Sequence, residues 1–271
     1  MNLIKQTALK YFALDEKVKC RCGGSHEICL QCKICRADDE DMRADKNDDL
    51  AGYIDHTILK PHTVRQDVER VCLEAKSYNF KSVCINPIFV SLAYTKLKRT
   101  GSLVCSVVGF PLGANLSEVK GEEALNCIRQ GAEEIDMVNN ITALKEKDIA
   151  TLLNDIATVS DICLNKDAIL KVIIETCLLT EEEKIIACLA AKKEGALFVK
   201  TSTGFSTGGA TIEDVTLMKK IVGPKFGVKA SGGIKTAETA RAMIEAGANR
   251  IGTSSGVEIV KAKQGTTPVK V

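Results

Sequence analysis

No stretch of this 271-residue chain approaches the roughly 20 continuous apolar residues that a membrane helix needs. Its opening residues, MNLIKQTALKYF, lack the hydrophobic region and cleavage site of a secretory signal. Nor is there an excess of charge of one sign. Lys and Arg number 37 against 35 Asp and Glu, so no global field draws the chain to nucleic acid or to an anionic membrane. Those two kinds of partner are excluded on this basis, any anion site has to be local, and the chain reads as cytoplasmic. With 45% hydrophobic and 27% charged residues, it also lacks the bias of a disordered chain.

Cysteine, by contrast, is plentiful. Of the 12 cysteines, Cys72, Cys84, Cys105, Cys127, Cys163, Cys177 and Cys188 lie in strand-like or helix-like apolar runs, where a free thiol behaves as a small hydrophobe. The other five crowd into one segment, Cys20, Cys22, Cys29, Cys32 and Cys35, with His26 between them and an acidic, apolar-poor run after them. Residues 1–50 therefore read as an N-terminal extension ending in a solvated linker, and residues 51–271 as a separate domain.

From Ala51 the texture becomes regular. Eight short β-branched runs, YIDHT, KSVCIN, LVCSVVGF, EIDMVN, ILKVIIET, LFVKTS, FGVKAS and RIGTS, alternate with amphipathic segments such as VRQDVERVCLEAKSY and TEEEKIIACLAAKKE. Thr180 followed by three glutamates is an N-cap signal. Gly131, Gly195 and Gly247, each followed by Ala and then by a strand, fit the left-handed residue that ends a helix. Eight βα units predict an α/β fold of the closed (β/α)8 (TIM) barrel type. The runner-up, a doubly wound open sheet, would want a GxGxxG after its first strand, and none is present.

Functional residues of such a barrel lie at the C-terminal ends of its strands. There the sequence places polar groups that a core does not explain: Asp55 and Thr57, Cys84, Asp136, Glu175, then Lys200 with Thr201, Lys229 with Ser231, and Ser254 with Ser255. Lys200 and Lys229 occupy equivalent positions on adjacent strands. Each could snorkel to solvent while Asp136 pairs with a neighbour. Alternatively the pair does amine chemistry. An unperturbed lysine, with a pKa of about 10.4, is protonated at neutral pH and cannot attack a carbonyl. A second cation beside it in a partly desolvated site favours the free amine. The conjunction of both lysines with an aspartate in an apolar run favours this second reading. Glycines add a phosphate signal: Gly232 and Gly233 follow the seventh strand and Gly252 opens GTSSG at the eighth, where barrels commonly hold a phosphate, while Gly204 begins a loop after the sixth.

From Tyr53 to Ile259 the segments IDHTILKP, SVCINP, VVGFPLG, EIDMVNN, KVIIET, FVKTSTGFSTGGAT, GVKASGGI and RIGTSSG follow one another in an order that resembles the deoxyribose-phosphate aldolases, class I enzymes of the DeoC/FbaB type on a (β/α)8 barrel. The resemblance implies Lys200 as the Schiff-base lysine, Lys229 as the cation that keeps it in its amine form, and Asp136 as the proton-transfer carboxylate. It implies substrate contacts at Asp55, Thr57 and Cys84, and phosphate contacts at Gly204, Gly232, Gly233, Ser254 and Ser255 with Thr201 nearby. The implied reaction is reversible cleavage of 2-deoxy-D-ribose 5-phosphate to acetaldehyde and D-glyceraldehyde 3-phosphate in deoxyribose catabolism. It needs no cofactor, its partners are the small phosphosugar and aldehydes, and the protein is a homodimer or homotetramer.

Two departures stand out. Some members end in a tyrosine linked to proton transfer, whereas this chain has none after Tyr94. Where some relatives carry a phosphate-binding lysine after KTSTG, this chain has Phe205, which leaves backbone groups and serines to hold phosphate. Other readings are an imine-forming aldolase for a different phosphorylated aldehyde, and a barrel kept as a binding scaffold. The resemblance does not reach the cysteine cluster, whose CxC and CxxC spacings offer ligands for a structural Zn²⁺. The alternative there is a reduced extension that docks or stays unstructured. An Fe–S cluster fits less well, because the usual Cys-Pro is missing.

Overall fold

The structure, a computed structural model, describes residues 3–12 and 50–262. Eight strands, β1 (Ile54–Ile58), β2 (Ser82–Ile85), β3 (Leu103–Val108), β4 (Glu134–Val138), β5 (Ile169–Ile173), β6 (Phe198–Lys200), β7 (Gly227–Ser231) and β8 (Arg250–Thr253), pair in parallel and in sequence order, and β1 closes on β8. Helices form the outer layer: α1 (Leu3–Tyr11) precedes the barrel, α2 (Arg65–Tyr78) and α3 (Val90–Leu97) flank β2, and α4 (Ser117–Arg129) follows β3. After β4 come α5 (Ile141–Glu146) and α6 (Ile149–Leu164); then α7 (Glu181–Lys193), α8 (Ile212–Val222), α9 (Ala237–Glu245) and α10 (Gly256–Lys261) follow β5 to β8 in turn. The expected closed (β/α)8 barrel is the observed one.

Local chemistry accounts for the helix ends. The Thr180 hydroxyl accepts from the Glu183 N–H at 3.3 Å while the Glu183 carboxylate accepts from the Thr180 N–H at 2.8 Å, a reciprocal cap on α7. Such a cap stabilises a helix by ~1 kcal/mol. Gly131, Gly195 and Gly247 all have positive φ, as their recurring place between helix and strand requires.

The strand period of two sorts side chains into two shells. Ile54, Ile135, Val172, Val199, Val228 and Ile251 are buried in the main core together with residues of the helices, such as Ile156, Ile186 and Met218. The alternate positions hold Asp55, Glu134, Asp136, Lys171, Lys200, Lys229 and Arg250, all buried. A barrel interior is ordinarily packed with branched apolar side chains. Here much of it is charged.

The expected strands overrun the observed ones by one to three residues, chiefly at their C-terminal ends. Glu175, Thr201 and Ser254 have left the ladder and belong to rim loops, and Glu175 takes a left-handed φ of 56°. One helix was not anticipated from the sequence: α1 buries Ile4 and Ala8 in the core cluster of the barrel and packs on α7. Lys10 and Tyr11 meet Glu182 of α7 at 3.2 and 3.3 Å. Cys177 also departs from expectation, because it lies exposed in a short 3-10 turn instead of an apolar run. Cys20, Cys22, Cys29, Cys32, Cys35 and His26 lie outside the described residues, as does the C-terminal TTPVKV.

Candidate active site

Parallel pairing sets Lys200 of β6 directly beside Lys229 of β7. Both ammonium groups donate to one oxygen of Asp136, at 2.8 Å from Lys200 and 2.7 Å from Lys229. The other oxygen accepts from Lys171 of β5 at 3.0 Å and lies 3.2 Å from the Cys105 thiol. Lys229 also reaches Asp55 at 2.5 Å. Arg250 then bridges Asp55 at 2.5 Å and Glu134 at 2.7 Å, and Lys171 closes the ring onto Glu134 at 2.7 Å. The three residues singled out first in the sequence therefore meet at one point.

Electrostatics in this buried interior are strong. Burial alone pushes the Asp136 carboxyl up, but Lys171, Lys200 and Lys229 outweigh it and hold it well below the usual carboxylate range. Burial opposes ionisation of Asp55 too, and Arg250 and then Lys229 overcome it. Lys229 is pushed down by burial and raised further by Asp136 and Asp55, so its net direction is well above the ordinary lysine value. Lys171 and Arg250 move the same way for the same reason. When all are ionised, four cations, Lys171, Lys200, Lys229 and Arg250, face three carboxylates, Asp55, Glu134 and Asp136. One positive charge is in excess.

Above the cluster opens a cavity of about 470 Å³. Lys200 is the member of the charged ring that lines it, while Lys171, Lys229 and Arg250 lie beneath. Of the other expected site residues, Thr57, Gly204, Gly232, Gly233 and Ser254 line this space. Asp55, Cys84, Asp136 and Thr201 do not, and each is fully buried. The Thr201 hydroxyl accepts from the Ser231 N–H at 3.1 Å, which ties the ends of β6 and β7 together. Ser255 stands at the N-cap position of α10 and donates its N–H to the Thr253 hydroxyl at 2.9 Å. Gly232 has a φ of 85°, and a Cβ there would lie 2.9 Å from the Gly209 Cα, so a side chain is excluded where the two loops touch.

Sequence reading missed Lys171, Glu134 and Arg250 as members of the cluster. A signal was present: each is a charge placed within a strand. It also missed Lys60 and Lys235, two further lysines that line the cavity. Cys84, Cys105 and Asp136 present donor atoms within 4.8 Å of one another, a metal-like grouping. Asp136 is already shared by three ammonium groups and burial pushes the Cys105 thiol well above its ordinary value, so the grouping does not suit a cation.

A closed (β/α)8 barrel thus sets two register-paired lysines on one carboxylate below an open cavity. The profile of the DeoC/LacD family aldolases matches residues 50–262. A deoxyribose-phosphate aldolase of Thermococcus gammatolerans is 59% identical over 215 residues, covering 79% of this chain and 96% of that protein. That of Bacillus subtilis is 58% identical over 212 residues, covering 78% and 95%. The tetrameric deoxyribose phosphate aldolase of Aeropyrum pernix superposes with a TM-score of 0.75 at 32% identity, covering 79% of this chain and 91% of that one. The chain belongs to the DeoC/LacD family of aldolases.

Proposed function

We propose that the chain is a 2-deoxy-D-ribose 5-phosphate aldolase acting through a Schiff base on Lys200, in deoxyribose catabolism. The observation that carries the mechanism is the position of Lys200: it carries one of four cations facing three carboxylates, and it alone of that ring lines the cavity. In the reactive form Lys200 is the free amine, and the three remaining cations face the three carboxylates. The amine attacks C1 of the sugar aldehyde, and loss of water with return of one proton to the nitrogen gives an iminium.

The iminium restores the excess charge and acts as the electron sink. The C3 hydroxyl loses its proton, the C2–C3 bond breaks, and its electron pair moves to C2 as a neutral enamine while C3 leaves as the aldehyde of D-glyceraldehyde 3-phosphate. Asp136 takes the proton through a water. Lys171 and Lys229, the ammonium neighbours that remain, favour the carboxylate, so it passes the proton on. Protonation of C2 and hydrolysis then release acetaldehyde and the free amine. The sugar phosphate lies against Gly204, Gly232, Gly233 and Ser254. No cofactor takes part in these steps.

Incubation with 2-deoxyribose 5-phosphate and borohydride, followed by peptide mass mapping, tests this. The expected result is one reduced adduct on Lys200, lost in Lys200→Ala. No adduct, or an adduct on another lysine, overturns the mechanism. The names of the relatives support the substrate. The tetrameric Aeropyrum relative supports a homo-oligomer, a dimer or tetramer. Seven free cysteines among the described residues suit a reducing cytoplasm. A structural Zn²⁺ on Cys20, Cys22, Cys29, Cys32 and Cys35 rests on ligand type and spacing, and metal analysis of the full chain tests it.

A further inference from the structure

Phe205 stands in the loop after β6 with 43% of its surface exposed, an uncommon place for a large apolar ring. The ring has two close partners. Phe110 meets it edge-on, with centroids 5.3 Å apart and planes at 85°. The Lys60 ammonium lies over its face, 5.2 Å from the centroid. Such a contact pins a cation without neutralising it.

The backbones beneath both side chains are anchored. The Phe205 N–H donates to the Thr203 hydroxyl at 3.1 Å, and that hydroxyl donates to the Glu175 carboxylate. The Lys60 carbonyl accepts from the Thr63 N–H at 3.0 Å, and Asn86 donates to the Leu59 carbonyl at 3.3 Å. No carboxylate pairs with Lys60 among the described residues. Its charge is thus held at the wall of the cavity that Lys200, Gly204, Gly233 and Ser254 also line, with no internal counter-ion.

We infer that Lys60, positioned by the Phe205 ring, binds the phosphate of the substrate and sets the preference for phosphorylated over phosphate-free sugar. The inference rests on the aldolase reading above. A lysine is not lost from the phosphate site by having phenylalanine at 205. The charge arrives instead from the β1 side, and the aromatic ring aims it. Phe205 is a positioning residue in this scheme.

The test compares kcat/KM for 2-deoxyribose 5-phosphate with that for 2-deoxyribose. In Lys60→Ala the ratio is expected to fall on the order of tenfold, through KM for the phosphorylated sugar, since a charge-assisted hydrogen bond to phosphate is removed. Lys60→Arg should retain most of the ratio, and Phe205→Ala should lose part of it, about threefold, because the backbone anchor survives. Inhibition by inorganic phosphate should weaken in Lys60→Ala, and the rise of KM with added salt should flatten. An unchanged ratio in Lys60→Ala, or an equal loss on both sugars, overturns the inference. A wild-type protein that cleaves neither sugar overturns the aldolase reading, and the inference with it.

Discussion

Lys200 and Lys229 are register partners on neighbouring strands, and their ammonium groups share a single oxygen of Asp136. Two cations on one acceptor in a buried site are tolerated because further carboxylates lie close by. Lys229 is the better matched of the two, with Asp55 as a second partner. Lys200 pairs with Asp136 and faces the cavity.

Lys229→Leu should keep the fold, because Asp55 retains Arg250 and Asp136 retains Lys171 and Lys200. Three cations would then face three carboxylates, so the ammonium form of Lys200 is matched. Borohydride trapping should vanish at neutral pH and return in part at alkaline pH. Full trapping at pH 7 would remove Lys229 from this role.

Asp136→Asn has the opposite electrostatic sign. It leaves four buried cations against two carboxylates, and stability should fall by about 3–5 kcal/mol, the usual cost of stripping a buried ion pair of one partner. Turnover should drop about 10²–10⁴-fold with loss of the proton acceptor, while the Lys200 adduct still forms. Urea unfolding and adduct yield read the two effects separately.

Acid should unfold the protein along a defined slope. The folded-state carboxyls of Asp55 and Asp136 are held below their unfolded value, so the unfolded chain takes up protons first. Their stabilisation is complete above about pH 5 and is lost as pH falls below about 4, by about 1.4 kcal/mol per pH unit for each group. Unfolding free energies measured at pH 5, 4 and 3 should show this. Asp55→Asn should remove one group's share, and an unaltered slope would contradict the assignment.

Among the described cysteines, Cys177 should react first with iodoacetamide at pH 7.5, as resolved by peptide mapping. It is exposed, whereas burial pushes the Cys72 thiol up to about 11 and the Cys163 thiol up to about 12. Labelling of Cys163 in native protein ahead of Cys177 would contradict the burial.

Much of the architecture is legible locally. The Thr180 cap, the three glycine junctions and the eight short runs are each decided within a few residues, where steric and hydrogen-bond preferences act directly. Helix α1 was not anticipated, although Ile4, Ala8 and Phe12 share a helical spacing, because its burial depends on α7, far along the chain. Lys171 was not. Within ILKVIIET a lysine reads as an outward residue, since strand period separates two faces without saying which one is the barrel interior. Pairing of Asp136 with Lys171 across β4 and β5 settles that face.

The amino-acid sequence by itself determined the repeated βα unit, the lysines and aspartate of the site, and the glycines of its rim, because these depend on residue type and short spacing. Only the tertiary structure decided the charge balance. Arg250 and Asp55 are 195 residues apart and meet because β8 closes against β1. Coulomb energy depends on distances of a few ångströms in a buried interior, and closure of the barrel sets those distances.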